Sequence, residues 1–160
     1  MALADAVGIP QAAQLAVLRS FTGLAHRCQF VREVDGVRWI NDSKATNVGS
    51  TLAAVAGVSE SVRGRLWLLA GGQGKGQDFS PLKAAIERIC SFVALIGRDA
   101  PAIRAVLSGS NVTVVDAVDM ESAVQACWKS AQAGDVILLS PACASLDMYR
   151  NYAHRAQMFI

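Results

Sequence analysis

Apolar segments that predict β-strands alternate with segments of helical periodicity from about residue 37 onwards, and this alternation limits the chain to an α/β fold. The runs LWLLA, FVALI and VILLS are apolar throughout, and a segment that predicts a helix follows each of them. Repeated strand–helix units form a parallel sheet, and strands without polar positions are typical of a sheet that helices cover on both faces.

The segment CQFVREVDGVRWI, residues 28–40, predicts two strands joined by Asp35-Gly36. An Asp-Gly pair between alternating runs favours a two-residue type I′ hairpin, in which the two strands are antiparallel. We therefore expect a doubly wound α/β sheet of about six strands, with five parallel strands and one antiparallel edge strand from the hairpin.

Three helix boundaries can also be predicted. The segment DAVGIPQAAQLAVLRSF, residues 5–21, predicts a helix with Pro10 in its first turn, and it stands apart from the alternating units. We expect residues 1–21 to be the helical tail of a preceding domain and residues 22–160 to form a domain. Ser80 is the predicted N-cap of the helix PLKAAIERIC, and the last helix is predicted to start near Ser145.

Composition excludes several classes of protein. The 160 residues carry a formal net charge of +2 without a basic run, so a nucleic-acid partner is not expected. No apolar run reaches about 18 residues and no signal peptide is visible, so we expect a cytoplasmic protein without a membrane partner. The four widely spaced cysteines are interpreted as small buried apolar residues, and with two histidines no metal site is expected.

Polar segments follow four of the predicted strands: NDSKATN (41–47), GGQGKGQDF (71–79), GRD (97–99) and PACASLD (141–147). Ligands of open parallel sheets bind outside the carboxyl ends of the strands, where helix N-termini add positive dipole ends. These segments bring lysine, arginine and hydroxyl side chains to one edge of the sheet. The pattern predicts a site for a small anion that carries carboxylate or phosphate.

Each of these segments also has an interpretation without a ligand. The side chains of NDSKATN are common helix N-caps, and GGQGKG can be a simple glycine-rich turn. The glycine segment is not a P-loop, because Lys75 is followed by glycine. Ser145 can cap a helix, and His26 and Tyr152 can be packing residues. Cys143 has no histidine in a predictable partner position, which disfavours a nucleophilic role.

Four segments together resemble the C-terminal domain of the Mur ligases: FTGLAHR, GVRWINDSKATNVGST, LLAGGQGKGQDFSPL and LLSPACASLDMYRNYAHR. The resemblance covers about residues 22–160 and is strongest to the members of the family that add D-glutamate. It implies a Rossmann-like domain of a three-domain cytoplasmic enzyme of peptidoglycan synthesis, and we expect a monomer. The implied reaction uses ATP and Mg²⁺ to form an acyl phosphate on UDP-N-acetylmuramoyl-L-alanine, which the amine of D-glutamate then attacks.

The resemblance also implies site residues. For D-glutamate these are Lys75 and Thr46 at the α-carboxylate, and Ser145, Leu146 and Tyr152 at the side-chain carboxylate. For ATP they are Asp42 at the ribose, Arg27 and Lys44 at the phosphates and His26 near the adenine and ribose, with Lys44 also the catalytic residue. No metal ligand is implied within the chain.

One feature of the family pattern is missing. No GxxxxGK[ST] motif occurs in the 160 residues. On the family interpretation the chain is then a fragment that lacks the ATP-binding P-loop domain, and we expect it to be inactive alone. The alternative is a non-catalytic α/β module that binds a nucleotide or another anion.

Overall fold

The computed structural model describes residues 2–160, and its centre is one six-stranded sheet in the order β1-β2-β6-β3-β4-β5. The strands are β1 Gln29–Val34, β2 Val37–Asn41, β3 Leu66–Gly71, β4 Cys90–Ile96, β5 Thr113–Asp116 and β6 Val136–Leu139. β1 lies at one edge and is antiparallel to β2, whereas all other neighbouring strands are parallel. The predicted sheet is therefore confirmed.

The hairpin between β1 and β2 has the predicted two-residue turn. Val34 pairs with Val37, and the intervening Asp35 and Gly36 have φ angles of 49° and 75°. Positive φ at both central residues defines a type I′ turn, whose twist matches that of the flanking strands.

Helices cover both faces of the sheet, as the fully apolar strands predict. α3 Val48–Ser59, α4 Leu82–Ile89 and α5 Ala100–Val106 pack on one face, and α6 Met120–Trp128 and α7 Tyr152–Phe159 pack on the other. Successive residues of β3 enter opposite cores: Leu68 lies with α3 to α5, and Leu69 lies with α6 and α7. This alternation follows from the two-residue period of a strand.

The predicted N-terminal helix is wrong in detail, because the segment forms two helices. α1 Ala2–Ala6 and α2 Gln11–Ser20 are separated at Gly8, which has a φ of 73°, and Pro10 is the N-cap of α2. Glycine at a positive φ ends α1, and proline then starts the next helix. Gln14 is the only residue of these two helices that is buried.

Two other helix starts differ from the prediction. α4 begins at Leu82 with Pro81 as N-cap, and the Ser80 hydroxyl donates to Asp78 and does not cap the helix. α7 begins at Tyr152 and not near Ser145, because the Asn151 side chain accepts from the His154 N–H and caps the helix there. Residues 145–151 form turns before the helix.

Three cysteines are buried as predicted: Cys90, Cys127 and Cys143. Cys28 is exposed, and for it the interpretation as a buried apolar residue is wrong. It sits in a turn at a φ of 43° before β1. None of the helices within residues 2–160 has the length and apolarity that crossing a membrane requires.

Candidate functional site at the carboxyl ends of the strands

The polar segments lie at one edge of the sheet because they follow neighbouring parallel strands. Residues 41–47 follow β2, residues 71–79 follow β3, residues 97–99 follow β4 and residues 140–147 follow β6. The strands β2, β6, β3 and β4 are adjacent in that order. We name these four segments the β2, β3, β4 and β6 loops.

Asp42 is the buried carboxylate of the β2 loop. Its Oδ1 accepts from the backbone N–H of Cys28 at 3.1 Å, and its Oδ2 accepts from the Ser140 hydroxyl at 2.8 Å. Burial raises the pKa of Asp42, while the Ser140 and Cys28 hydrogen bonds and the charge of Arg27 oppose the rise. The carboxylate is thus fixed in orientation at some electrostatic cost.

An open cavity of about 340 Å³ lies beside Asp42. Its lining residues are Arg27, Cys28, Asp42, Lys44, Ala45, Ser50, Ala53 and Ala54. The structure therefore brings together three of the residues predicted to face ATP. Two cations and a carboxylate around one cavity suit a ligand with both phosphate and hydroxyl groups.

The fourth predicted ATP residue, His26, lies beside this cavity and does not line it. Its Nδ1 is 3.0 Å from the Asn41 amide nitrogen, and its ring meets the Tyr152 ring edge-on with centroids 5.9 Å apart. The Lys44 ammonium lies 3.9 Å from the centroid of the same Tyr152 ring. Tyr152 is thus a packing partner of both residues, and its contact with Lys44 is a cation–π interaction.

Cys28 also lines the cavity. The residue is exposed as a whole, but partial burial of its sulfur, followed by the nearby negative charge of Asp42, raises the pKa of the thiol to about 11. The thiol of Cys143 is fully buried, and burial raises its pKa to about 12. Both thiols stay protonated at neutral pH, so neither has the thiolate that nucleophilic chemistry needs.

The β3 loop presents Lys75 at an exposed tip. Two backbone hydrogen bonds join Gln73 to Ala144, and the Gly74 N–H donates to Asp99 Oδ2 at 2.6 Å. Lys75 follows at a φ of 57° and is exposed. Gly72 permits this arrangement, because a Cβ there would lie 2.3 Å from the Ala144 carbonyl oxygen.

Gln77 joins the β3 loop to two other loops, and the sequence analysis missed it. Its Nε2 donates to the Ala142 carbonyl at 2.6 Å, and its Oε1 accepts from the Val48 N–H at 2.9 Å. Val48 is the first residue of α3. No sequence signal distinguishes Gln77 from a solvent-facing glutamine, because its partners come from distant segments.

The residues predicted to hold D-glutamate lie on the β2, β3 and β6 loops and at the start of α7. Thr46 precedes the N-cap of α3, Ser145 is buried next to Ala144, and the Leu146 side chain is 62% exposed. The bonds of Gln77 and Gln73 hold these three loops side by side. The loops are thus brought together, and Lys75 and Leu146 face solvent.

Arg155 is the second residue that the sequence analysis missed. It lies in α7, its side chain is fully buried, and it donates hydrogen bonds to Ser43 and Cys143. Burial lowers its pKa to about 10, so it is charged at neutral pH. Its place in the quoted segment SLDMYRNYAHR gives no hint of burial, because an arginine is usually solvated.

Residues 2–160 contain no cluster of three or more His, Cys, Asp or Glu side chains that could hold a metal ion. The resemblance likewise implies no metal ligand within this chain.

Comparison with known proteins agrees with this geometry. The family model described as "Mur ligase, glutamate ligase domain" matches residues 26–143. The chain belongs to the Mur ligase family. The matched range includes the β2, β3 and β4 loops and the start of the β6 loop.

Curated Mur ligases match nearly the whole chain. The UDP-N-acetylmuramoylalanine–D-glutamate ligase of Pseudomonas savastanoi pv. phaseolicola is 53% identical over 159 residues, which are 99% of this chain and 35% of that protein. The enzyme of the same name from Ralstonia nicotianae is 52% identical, and the match covers 31% of its length. The chain thus spans about a third of the length of these relatives.

Solved structures of a Mur ligase and of another enzyme share the fold. The UDP-N-acetylmuramate–alanine ligase of Thermotoga maritima superimposes with a TM-score of 0.70 at 16% identity, over 99% of this chain and 34% of that one. A bifunctional folylpolyglutamate synthase/dihydrofolate synthase of Yersinia pestis, complexed with AMPPNP and Mn, superimposes with a TM-score of 0.62 at 17% identity, over 84% of this chain and 30% of that one. At these identities the likeness concerns the fold alone.

Proposed function

We propose that this chain is the amino-acid-binding domain of a cytoplasmic, monomeric, ATP-dependent ligase that joins D-glutamate to UDP-N-acetylmuramoyl-L-alanine. The observation that carries the proposal is the convergence of Arg27, Asp42 and Lys44 around one cavity, beside the loops of Thr46, Lys75 and Ser145. Relatives of that name, identical at half of their aligned positions, support it.

On the nucleotide side, Asp42 accepts hydrogen bonds from the ribose hydroxyls. Two donors of the chain already fix its orientation, and the carboxylate still borders the cavity. Arg27 and Lys44 offer their charges to the phosphates from the same cavity, and His26 lies beside the adenine and ribose. Lys44 is the proposed catalytic residue, because its ammonium can stabilise the negative charge that develops on the transferred phosphoryl group.

On the amino-acid side, Lys75 and Thr46 hold the α-carboxylate of D-glutamate. Ser145, Leu146 and Tyr152 hold its side-chain carboxylate, Leu146 through its backbone because its side chain is exposed. The bound amine then attacks the acyl phosphate that ATP forms on the UDP-sugar substrate, and the tetrahedral intermediate collapses to an amide and phosphate. The domain's contribution is to hold the amine in line with the acyl carbon.

In this proposal residues 1–21 contact a preceding domain that contains the P-loop. The apolar side chains of residues 2–21 are mostly solvent-exposed, including Leu3 at 88% and Val7 at 74%. The chain alone should then form no acyl phosphate, because it has no GxxxxGK[ST] motif. ATP hydrolysis by the purified 160-residue chain, above the background of an empty preparation, would contradict this part of the proposal.

Substitution of Lys75 tests the amino-acid site in the full-length ligase that the proposal implies. Lys75→Ala should lower kcat/KM for D-glutamate roughly tenfold to a hundredfold, because a charged hydrogen bond contributes about 1.5–3 kcal/mol. The KM for the UDP-sugar should not change. Lys75→Arg should restore little, because a broad guanidinium does not replace a compact charge at a tight turn.

Lys83→Ala is the matched control, since Lys83 is a partly exposed lysine of α4 whose salt bridge with Glu87 is 3.9 Å long. It should leave all three KM values unchanged. An equal rise in KM for D-glutamate and the UDP-sugar in Lys75→Ala, at unchanged thermal stability, would show that Lys75 does not hold the amino acid.

The absence of a P-loop motif favours one second candidate, a non-catalytic nucleotide- or anion-binding module. Such a module would bind ATP at the Asp42 cavity, and D-glutamate would have no effect on it. Calorimetric titration of the 160-residue chain with each ligand separates the two. Saturable D-glutamate binding that Lys75→Ala abolishes supports the ligase domain, and ATP binding alone supports the module.

A further inference from the structure

We propose that Arg155 is a positioning residue that holds the nucleotide-side β2 loop and the amino-acid-side β6 loop at a fixed separation. This inference rests on the proposed function, since it concerns the same site. Arg155 is not among the residues assigned to either ligand, and it would act on both through the loops that carry them.

The guanidinium of Arg155 makes three hydrogen bonds to these two loops. Nε donates to the Ser43 hydroxyl at 3.0 Å, Nη2 donates to the Ser43 carbonyl at 2.9 Å, and Nη1 donates to the Cys143 carbonyl at 3.0 Å. A single side chain from α7 thus fixes the backbone of the β2 loop relative to that of the β6 loop.

The residues that Arg155 holds are direct neighbours of the proposed ligand groups. Ser43 lies between Asp42 and Lys44, which face the nucleotide cavity. Cys143 lies two positions before Ser145 in the β6 loop. A shift of either carbonyl therefore moves residues on both sides of the site.

The start of α7 and the β3 loop take part in the same arrangement. The Ser43 hydroxyl donates to the Tyr152 carbonyl at 2.8 Å while it accepts from Arg155. A Cβ at Gly72 would lie 3.3 Å from Arg155 Nη1, so the guanidinium lies close against the backbone of the β3 loop. Arg155 is thus at the meeting point of the three loops.

Stability alone does not explain a charge at this position. Within residues 2–160 the direct ion pairs are Lys83–Glu87 and Arg104–Asp116, so the buried Arg155 forms none, and the charge of Asp147 only partly offsets the effect of burial on the pKa of Arg155. Burying a cation without a direct ion pair costs several kcal/mol, and an apolar side chain of similar volume is often as stable or more stable. What the apolar side chain cannot supply is a planar set of donors that fixes two carbonyl groups in one geometry.

The test compares Arg155→Lys and Arg155→Met with wild type in the full-length ligase. Arg155→Lys keeps the positive charge but loses the planar set of donors. Arg155→Met keeps most of the side-chain volume but loses the charge and the donors. Each should raise KM for D-glutamate and KM for ATP together, on the order of tenfold, because small displacements of binding groups are costly. KM for the UDP-sugar should stay within about twofold of wild type.

The control for a merely structural role is Ile86→Ala, which opens the core at a fully buried position of α4 away from the loops. It should lower the melting temperature and leave all KM values unchanged. If both Arg155 variants fail to fold, Ser43→Ala is a milder variant, because it removes only the hydroxyl that joins Arg155 to Tyr152. It should raise the same two KM values by about threefold.

A second measurement keeps this inference separate from the proposed function. Amide hydrogen exchange of the 160-residue chain should accelerate at Lys44 and Ala144 in Arg155→Lys and stay unchanged in β4. That result supports the positioning role even in a ligase that does not use D-glutamate, which would refute the proposed function alone. Unchanged exchange at both loops, or KM values equal to wild type in a D-glutamate-dependent enzyme, would overturn the inference.

Discussion

Asp42 and Asp135 are both buried carboxylates, and they lie at opposite ends of the sheet. Asp135 precedes β6 at the amino ends of the parallel strands, and Asp42 follows β2 at the carboxyl ends. Asp135 is 4% exposed and Asp42 is 7% exposed. Asp135 accepts from the N–H groups of Arg65 and Gln132 and from the Trp67 indole, whereas Asp42 accepts from Cys28 and Ser140 only.

The difference separates a carboxylate that serves the fold from one that is available to a ligand. A Cβ at Gly64 would lie 2.3 Å from Asp135 Oδ1, so the chain closes tightly around this side chain. Asp42 borders an open cavity that also contains Arg27 and Lys44. The two aspartates are similarly buried. What distinguishes them is the number of hydrogen-bond donors that the chain itself provides to each carboxylate.

Cavity size alone would have selected the other end of the strands. A cavity of about 710 Å³ lies at the amino ends of the strands, about twice the volume of the one beside Asp42, which is about 340 Å³. Its charged lining residues are Glu33, Arg38, Glu60 and Arg63. These charges are balanced, so the cavity has no preference for an anion.

The largest effect is expected for Asp135→Ala. It leaves the buried Trp67 indole and two partly buried backbone N–H groups without an acceptor, and we expect a loss of about 3–5 kcal/mol in the free energy of unfolding. Ligand affinities of the folded fraction should not change. Urea denaturation measures the loss, and a change below about 1 kcal/mol would remove the contrast between the two carboxylates.

Gly72→Ala should have the next largest effect, and it shows what the carboxyl end contributes to stability. The new Cβ would meet the Ala144 carbonyl at 2.3 Å, and φ at this position is 126°. We expect a loss of about 2–3 kcal/mol together with weaker D-glutamate use.

Gly76→Ala is the matched control in the same loop, because φ is 75° there and nothing lies within 4 Å of the new Cβ. It should cost only about 1 kcal/mol. Equal losses for the two variants, measured by urea denaturation, would mean that close approach to the β6 loop is not what Gly72 provides.

How much could be predicted from sequence depends on whether a feature arises from a local pattern or from contacts between distant segments. The strand–helix alternation and the Asp35-Gly36 turn are local patterns, and they predicted the sheet, its edge strand and the loops of the site. The partners of Asp135, Gln77 and Arg155 are distant in sequence, so no local pattern indicates them. The predicted start of α4 was wrong because the Ser80 hydroxyl donates to Asp78 and Pro81 is the N-cap. The predicted start of α7 was wrong because Asn151 caps that helix and Ser145 does not.

Asp42→Asn should have effects opposite to those of Asp135→Ala: the free energy of unfolding should be retained and the affinity for ATP should fall. Burial raises the pKa of Asp42, so between the ordinary aspartate pKa and the raised one the folded state holds a proton that the unfolded state releases. Stability therefore falls as pH rises through this window, and the cost persists at neutral pH. Asparagine has no such titration.

We thus expect Asp42→Asn to be at least as stable as wild type at pH 7, with a flatter dependence of stability on pH above the ordinary aspartate pKa of about 4. ATP affinity of the full-length ligase should fall on the order of tenfold, because an amide is a weaker acceptor for ribose hydroxyls than a carboxylate. Asp116→Asn at the exposed end of β5 is the control and should leave ATP affinity unchanged. A large loss of stability in Asp42→Asn would place Asp42 with Asp135 as a structural carboxylate.

The smallest effect concerns the contact between Lys44 and the Tyr152 ring. A cation–π pair at a half-buried site contributes about 0.5–1 kcal/mol, far less than the closed network of Asp135. So small an energy lets the Lys44 ammonium leave the ring when a phosphate is near, as a ligand residue must. A double-mutant cycle of Lys44→Met and Tyr152→Leu should give a coupling energy of that size without ATP and near zero with saturating ATP. Tyr152→Phe retains the ring and should leave the coupling unchanged. A coupling above about 2 kcal/mol that persists with ATP would mean that Lys44 is held on α7 as firmly as Asp135 is held by its three donors.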